Sequence, residues 1–504
     1  MMKYTLATTL LLGVLFAANA QPSNIFHQRD FWRGNPPLEE IKAKIAEGNS
    51  PTALTPYNFD AISYAILEKA PLETIKFLLT QGNEIDKLTH DARTYLMWAA
   101  YKGDLELMKY LVDQGANTDI IDQHGYSLFM FPAATGLEEP AVYDYIIELG
   151  ADVMAEKDRQ GRNALLAYAG SMKTGAMIDY FVTKGLDVHG LDEDGNGIFN
   201  HAAKTGNQSL LETLVADYKV NTAKNAETNE NAILFASRRY SRSGDETSLS
   251  FYQYLEGLGL DATIVSNEGE TVLHNLAYRS KNIELYEYFV GKGIDVNQTN
   301  EEGNNALINA SASKSQEIVA FLVKNTEDIN HQNKEGIAAF TRALKYNDLE
   351  VAQFLVSKGA DPKIIDKKGY DMGYHVVDAF SDDMEEFKSK MDYLASTGYD
   401  PTLPQEDGST LLHLAIQKHS IPLAKSLVGM GIDINAKDNS GQTALHLAAM
   451  QAGDEEMLKF LIESGADKTL TTDFDESAYD LASTNELLIE NKSNIDFLRL
   501  EQND

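Results

Sequence analysis

Cysteine is absent from this chain of 504 residues. Its absence excludes disulfide bonds, thiol nucleophiles and thiolate metal ligands. The fold must therefore be stabilised by the packing of side chains. The chain is also too long for one ordinary hydrophobic core, which predicts several domains or an array of repeats.

Positive charge is scarce. The chain has 43 Lys and Arg residues against 76 Asp and Glu residues, for a formal net charge of −33. Nucleic-acid binding needs a basic surface facing the phosphates, so a nucleic-acid partner is excluded. The charge is typical of a soluble protein that stays monomeric, and we expect a monomer. Attraction to a basic partner is the alternative interpretation.

Long apolar stretches are confined to residues 1–20. Lys3 precedes an apolar run from Thr5 to Ala17, and Ala18 and Ala20 fit a small-residue cleavage site, so we predict a signal peptide with the mature chain starting at Gln21. The run is short for a membrane anchor, and no cysteine follows it to carry a lipid. We expect a periplasmic or secreted protein with no membrane insertion after cleavage.

A repeat with a period of about 33 residues fills most of the remaining chain. Each repeat begins with a polar turn of the kind D-x-x-G, as in Asp122 to Gly125. Nine aligned glycines mark it: Gly125, Gly161, Gly195, Gly269, Gly303, Gly336, Gly369, Gly408 and Gly441. Asn58, Ala92 and Asn229 occupy the same position in three further repeats, and asparagine is the next-best residue for a left-handed turn.

Two helices are predicted in each repeat after the turn. The first, or inner, helix is short and rich in small residues, as in Leu445–Ala449. The second, or outer, helix carries apolar residues at helical spacing, as in Leu105, Met108, Leu111 and Val112. One such pair cannot bury its apolar face alone, whereas stacked pairs can, so the pattern predicts an α-solenoid.

Three tetrapeptides resemble the T-P-L-H motif of ankyrin repeats: Thr271–His274, Thr410–His413 and Thr443–His446, each without the proline. The resemblance implies an all-α solenoid of about 12 full repeats with hairpin-like turns, in which the histidines link neighbouring turns by hydrogen bonds. We predict a signal peptide at 1–20, an N-terminal segment and capping half-repeat at 21–57, the array at 58–474 and a C-terminal capping repeat at 475–504.

One calcium motif can be discounted. Asp192 to Gly197 match the first half of an EF-hand loop, but the twelfth position, which requires a bidentate acid, is Ala203. Each of these residues is instead explained by its position in the repeat, in the turn or on the inner helix. No G-x-S-x-G motif, phosphate-binding glycine loop or metal-binding histidine pair occurs. We therefore predict no enzyme activity, no cofactor and no metal site.

Three repeats carry insertions, near 133–140, 237–250 and 376–387. Insertions in solenoids often lie on the binding face. The second insertion contains Arg238, Arg239, Tyr240 and Arg242. Arginine and tyrosine are typical anchor residues of protein interfaces. The alternative is that these cations cap the inner helix, as basic residues do at the same place in other repeats.

The turn tips, meaning the two residues before each aligned glycine, are the other candidates for partner contact. They differ strongly between repeats: Gln123 and His124, Arg159 and Gln160, Glu193 and Asp194, Glu301 and Glu302, Lys367 and Lys368, Glu406 and Asp407. We predict an exported, non-enzymatic scaffold that binds one or more proteins, in the bacterial periplasm. The alternatives are a secreted effector that acts on the proteins of another cell and a calcium-dependent surface protein.

Overall fold

The computed structural model describes residues 24–239, 246–312 and 315–500. All regular structure within these residues is helical, apart from an isolated antiparallel bridge between Thr471 and Ser477. The all-α prediction is confirmed. The predicted signal peptide lies outside the described residues.

The chain divides into two compact units, which meet in sequence at Thr222 and Ala223. Unit 1 contains two short 3₁₀ helices, Ile25–His27 and His90–Ala92. Its α-helices are α1 Arg29–Arg33, α2 Leu38–Ala46, α3 Ala61–Leu67, α4 Leu72–Leu79, α5 Tyr95–Lys102, α6 Leu105–Asp113, α7 Met130–Ala134, α8 Pro140–Glu148, α9 Ala164–Ala169, α10 Ala176–Thr183, α11 Ile198–Ala203 and α12 Gln208–Ala216.

Unit 2 ends with a 3₁₀ helix, Asp496–Leu498. Its α-helices are α13 Ala232–Ser237, α14 Leu249–Gly257, α15 Val272–Arg279, α16 Ile283–Gly291, α17 Ala306–Ser311, α18 Gln316–Asn325, α19 Ala339–Tyr346, α20 Leu349–Ser357, α21 Met372–Asp378, α22 Met384–Ser396, α23 Leu411–Gln417, α24 Ile421–Gly429, α25 Ala444–Gln451, α26 Glu456–Glu463, α27 Ala478–Thr484 and α28 Glu486–Glu490.

Helices α3 to α26 form twelve consecutive pairs, one after each aligned turn, in the part of the chain that the structure describes. Five pairs belong to unit 1 and seven to unit 2. The predicted number of full repeats is therefore correct. The array was expected to be continuous, and the division was not foreseen. Gly195 and Asn229, on either side of it, keep the ordinary repeat spacing, so the periodicity carries no sign of it.

Inner helices pack against the inner helices of the neighbouring repeats, as α3 does against α5 and α17 against α19. Helix α9 is buried along its whole length, which explains its small and apolar residues. Outer helices bury one face only: in α6, Leu107, Met108 and Leu111 are buried while Lys109 is exposed. Each fully buried leucine contributes about 1.5–3 kcal/mol to the free energy of unfolding.

The turn glycines are required for two reasons, which Gly336 illustrates. Its φ of 84° lies in the left-handed region, which other residues adopt at a cost. A Cβ atom there would also lie 2.5 Å from the backbone nitrogen of Lys367 in the next repeat. Asn58, Ala92 and Asn229 have φ of 58°, 58° and 56°, which confirms their alignment with the glycines.

The insertion at 376–387 does not lie wholly between two helices, as the sequence suggested. Part of it extends the outer helix α22 to 13 residues, where the other outer helices have 8 to 10. Across the described residues, no helix has both the length and the apolar character needed to span a bilayer.

Candidate protein-binding surface

In seven turns the first residue is an Asp or Asn whose side chain is bonded within the turn itself. One carboxylate oxygen of Asp122, Oδ1, accepts hydrogen bonds from the backbone nitrogens of His124 and Tyr126, at 2.8 and 2.9 Å. The same pair of bonds recurs at Asp158, Asp192, Asn300, Asn333, Asp366 and Asp438. These side chains hold the turn closed and leave the next two residues to face outward.

A ladder of backbone hydrogen bonds joins the turns of neighbouring repeats. In unit 1 the backbone nitrogen of Gln123 donates to the carbonyl oxygen of Asp91, at 2.9 Å. In unit 2 the nitrogen of Lys367 donates to the carbonyl oxygen of Glu335 at 3.0 Å, and the nitrogens of Asn267, Glu301, Lys334 and Asn439 make the equivalent bond at 2.6 to 2.9 Å. Within each unit the tips therefore form a row on a backbone of fixed register.

All twelve predicted tip residues are exposed. In unit 1 these are Gln123, His124, Arg159, Gln160, Glu193 and Asp194, and in unit 2 they are Glu301, Glu302, Lys367, Lys368, Glu406 and Asp407. A constant backbone thus presents side chains of different charge from one repeat to the next. This arrangement suits contact with another macromolecule, whose groups it can match one repeat at a time.

The predicted arginine cluster is only partly available for contact with a partner. Arg238 is half-buried, pairs with Glu230 through Nη2 and Oε1 at 2.5 Å, and lies 5.7 Å from the ring centre of Phe235. Arg239 is half-buried. Tyr240 and Arg242 lie outside the described residues. The proposed contact between these arginines and a partner stays a prediction.

The alternative, helix capping, has direct support elsewhere. Arg279 Nη1 donates to the carbonyl oxygen of Arg238 at 2.6 Å, at the end of the neighbouring inner helix. Lys418 donates in the same way to the carbonyl oxygen of Asp378. Cations at the negative ends of these helices stabilise them.

Three histidines link neighbouring repeats, as the ankyrin resemblance implied. Nδ1 of His446 accepts a hydrogen bond from the backbone nitrogen of Thr443 at 3.1 Å, and Nε2 lies 3.0 Å from the carbonyl oxygen of Leu470. His274 and His413 make the same two contacts. Because Nδ1 accepts, the proton must be on Nε2, so the ring is neutral. Burial lowers the pKa of all three rings.

Asp192, in the calcium-like motif, has structural partners for both carboxylate oxygens. Oδ1 accepts from the backbone nitrogens of Asp194 and Asn196, and Oδ2 lies 2.9 Å from Nε2 of the buried His201. Burial lowers the pKa of His201. In the described ranges, no three His, Asp or Glu residues are grouped so as to hold a metal ion.

No residue of the inner helices of unit 1 was predicted as a site residue, although the ankyrin resemblance implies binding through the inner-helix face as well as the tips. Trp98, Tyr101 and Phe131 form ring contacts there, with centroids 5.5 to 6.0 Å apart. Aromatic residues at helical spacing are equally typical of a core, so their pattern carried no signal of a surface. Trp98 and Phe131 are indeed buried, and only the tertiary structure shows that Tyr101 stays half-buried with Nζ of Lys102 at 5.8 Å from its ring centre.

A family model for ankyrin repeats in three copies matches residues 62–157, 234–333, 273–366 and 385–472. Among solved structures, the human ASB11 ankyrin repeat domain aligns with a TM-score of 0.37 and 18% identity, over 45% of this chain and 99% of that domain.

Three curated relatives match shorter segments. The RelA-associated inhibitor of Mus musculus is 37% identical over 73 residues, which cover 14% of this chain and 9% of the relative. Protein phosphatase 1 regulatory subunit 12A of Mus musculus is 35% identical over 77 residues, 15% of this chain and 7% of the relative. Palmitoyltransferase AKR1 of Saccharomyces cerevisiae is 33% identical over 108 residues, 21% of this chain and 14% of the relative.

The chain thus spans less than one fifth of the length of each of these three relatives. The segments that match the family model, in contrast, cover more than half of the chain. They contain the three linking histidines and the turns at Gly125, Gly269, Gly303, Gly336, Gly408 and Gly441. The chain belongs to the ankyrin-repeat family.

Proposed function

We propose that this protein is an exported, non-enzymatic scaffold that binds one or more proteins in the bacterial periplasm. The observation that carries the proposal is the row of turn tips, whose exposed side chains differ between repeats on a hydrogen-bonded backbone of fixed register. Ankyrin repeats are a scaffold for protein interaction, and a monomer with exposed tips suits that role. The transferase activity named for the yeast relative is not part of the proposal.

Photo-crosslinking tests which surface meets a partner. A crosslinking amino acid at Lys367, an exposed tip of unit 2, should give discrete protein adducts in cells. The matched control is the same amino acid at Lys358, an exposed lysine at the end of the outer helix α20. Adducts from the control position alone would contradict binding through the tips. Mass spectrometry of the adducts identifies the partner.

Export is proposed from residues 1–20 of the sequence. N-terminal sequencing of the protein purified from its native cells should begin at Gln21, and fractionation should place the protein in the periplasm. Recovery from the culture medium would instead support the secreted effector. A chain that keeps Met1 and stays in the cytoplasm would contradict export.

The arginine cluster allows a further test of partner contact. Reversal of both charges in Arg239→Glu and Arg242→Glu should weaken capture of the crosslinked partner if these side chains meet an acidic patch on it. The matched control is the reversal of two exposed lysines of the same unit, Lys358 at the end of the outer helix α20 and Lys425 in the middle of the outer helix α24. Undiminished capture by the arginine variant would show that the cluster only caps the helix.

A further inference from the structure

Four basic side chains lie on or next to the neighbouring helices α1, α3 and α5 of unit 1. Arg29 and Arg33 lie on α1, Lys69 follows α3, and Lys102 is the last residue of α5. We call them the cationic cluster. Glu68 pairs with Arg29, and its Oε2 lies 3.6 Å from Nε of Arg33.

One acid, Glu68, lies beneath the cations, whereas Asp30 is 87% exposed and its Oδ1 lies 2.7 Å from Nη1 of Arg33. The side chains of Arg29 and Arg33 are 44% and 56% exposed, whereas that of Glu68 is 14% exposed. Lys69 is exposed and Lys102 is half-buried. Glu139 borders the cluster, where its side chain packs beside Gly103. Four cations therefore face three acids, Glu68, Asp30 and Glu139, which leaves a small excess of positive charge on a protein whose formal net charge is −33.

The positive charges are close enough to act on one another. Burial lowers the pKa of the Lys102 ammonium, and the charges of Lys69 and Arg29 lower it further, while Glu68 opposes them. Like charges held together in this way repel, and the repulsion is relieved when an anion binds between them. The cluster is thus only partly neutralised by the acids of its own chain.

Aromatic rings lie beside the cluster on the inner-helix face. Tyr101 is half-buried and packs on two buried rings, Trp98 at 6.0 Å and Phe131 at 5.5 Å between centroids. Nζ of Lys102 lies 5.8 Å from the ring centre of Tyr101. Tyr64, on the neighbouring helix α3, is half-buried. Rigid aromatic groups next to arginine and lysine are typical of protein-binding surfaces.

Lys69 occupies a strained position. Its φ is 59°, in the left-handed region, and the equivalent residues of the next two repeats are Gly103 and Gly136, with φ of 70° and 76°. Glycine adopts this conformation at little cost, whereas lysine does not. A lysine here adds charge to the cluster and nothing to the stability of the turn.

We propose that the cationic cluster and the adjoining half-buried rings of Tyr64 and Tyr101 dock an acidic, extended segment of a partner protein. The carboxylates of the segment would lie over Lys69, Lys102 and Arg29, whose charges Glu68 alone does not balance. Charge complementarity selects this occupant, because a basic segment would meet cations here. The inference rests on the proposed protein-binding function and adds the chemistry of one partner surface.

The test uses the full chain and a fluorescein-labelled decaglutamate peptide, with decaglutamine as the uncharged control peptide. The variant Lys69→Glu with Lys102→Glu reverses two charges of the cluster. The matched control, Lys173→Glu with Lys204→Glu, makes the same change of net charge after the inner helices α9 and α11 of the same unit. Fluorescence polarisation measures binding at low and high salt.

We expect the wild-type chain to bind decaglutamate and not decaglutamine, and added salt to weaken this binding. The cluster variant should bind about tenfold or more weakly, and the control variant within about twofold of wild type. Equal losses in both variants, or equal binding of both peptides, would overturn the proposal. Tighter binding of a single-stranded oligonucleotide than of decaglutamate would also overturn it.

The variant Lys69→Gly separates binding from folding. Glycine relieves the left-handed strain, so the urea midpoint of unfolding should rise or stay unchanged while decaglutamate binding weakens. Full binding by this variant and by Lys102→Gln would overturn the role of the cluster. If the wild-type chain captures a partner through its tips but does not bind decaglutamate, this inference fails and the proposed function stands. Peptide binding without any partner adduct from the tips contradicts the proposed function instead.

Discussion

The Nε2 atom of His274 lies 3.0 Å from the carbonyl oxygen of Asn304, a residue of the next repeat. His413 and His446 reach Gln442 and Leu470 in the same way, at 3.1 and 3.0 Å. Each ring also accepts a hydrogen bond from the turn of its own repeat, so one neutral imidazole connects two repeats. The stability of the array therefore depends on these rings and on their protonation state.

Removal of one such ring should destabilise the protein. His413→Ala leaves the carbonyl group of Gln442 and the backbone nitrogen of Thr410 without the histidine, and opens a cavity where the ring was buried. We expect the free energy of unfolding to fall by about 2–3 kcal/mol, measured by urea unfolding. His189→Ala, at an exposed position, should change it by less than about 0.5 kcal/mol. Equal effects of the two variants would show that the ring does not link the repeats.

Acidification should also destabilise the protein, and it should do so at a pH above that at which Asp and Glu residues of ordinary pKa take up protons. Burial lowers the pKa of five histidines: His201, His274, His375, His413 and His446. As the pH falls through about 6.5, the unfolded chain takes up protons that the folded chain does not, so stability is lost. Glu156 acts in the opposite direction, because burial raises its pKa.

The measurement is the urea midpoint at pH 7.5 and at pH 5.5, with the lower value expected at pH 5.5. A triple variant in which His274, His413 and His446 are replaced by asparagine should show a smaller difference between the two. A midpoint that is constant or higher at pH 5.5 would contradict the prediction.

A methyl group at a turn glycine should be costly. Gly336→Ala places a Cβ atom 2.5 Å from the backbone nitrogen of Lys367 and requires a left-handed φ. We expect a loss of about 2 kcal/mol or more in the free energy of unfolding. Gly291→Ala, at the end of helix α16 with open space around it, should be neutral or stabilising by up to about 1 kcal/mol. Thermal unfolding of both variants shows whether the loss comes from the steric clash at Gly336 or from any substitution of glycine by alanine.

The buried carboxylate of Asp60 depends on one tyrosine. The hydroxyl of Tyr95 donates to Asp60 Oδ2 at 2.5 Å, and Nζ of Lys87 lies 2.9 Å from the same oxygen. Tyr95→Phe removes this donor, and we expect a loss of about 1–3 kcal/mol in the free energy of unfolding. The control Tyr57→Phe alters a side chain that is 73% exposed and should have almost no effect. Comparable losses would mean that the hydroxyl of Tyr95 contributes nothing specific.

The fold was largely predictable because its determinants are local and repeated. The aligned glycines, with Asn58, Ala92 and Asn229, placed twelve turns correctly, and each turn is followed by its two helices. The exposure of the tips followed from the same register. The pairing of Arg238 with Glu230 could not be predicted, because it depends on side-chain packing at the end of one helix.

The sequence by itself determined the repeat, its length, the helix pairs and the residues of the turns, because steric limits on φ and the burial of a periodic apolar face act within each repeat. Only the tertiary structure decided which charged side chains meet across repeats. Arg29, Lys69 and Lys102 are separated by 30 to 40 residues in sequence and still act on one another, because stacked helices bring the ends of successive repeats together. The division at Thr222 likewise left no mark in the sequence, since it does not disturb the repeat spacing.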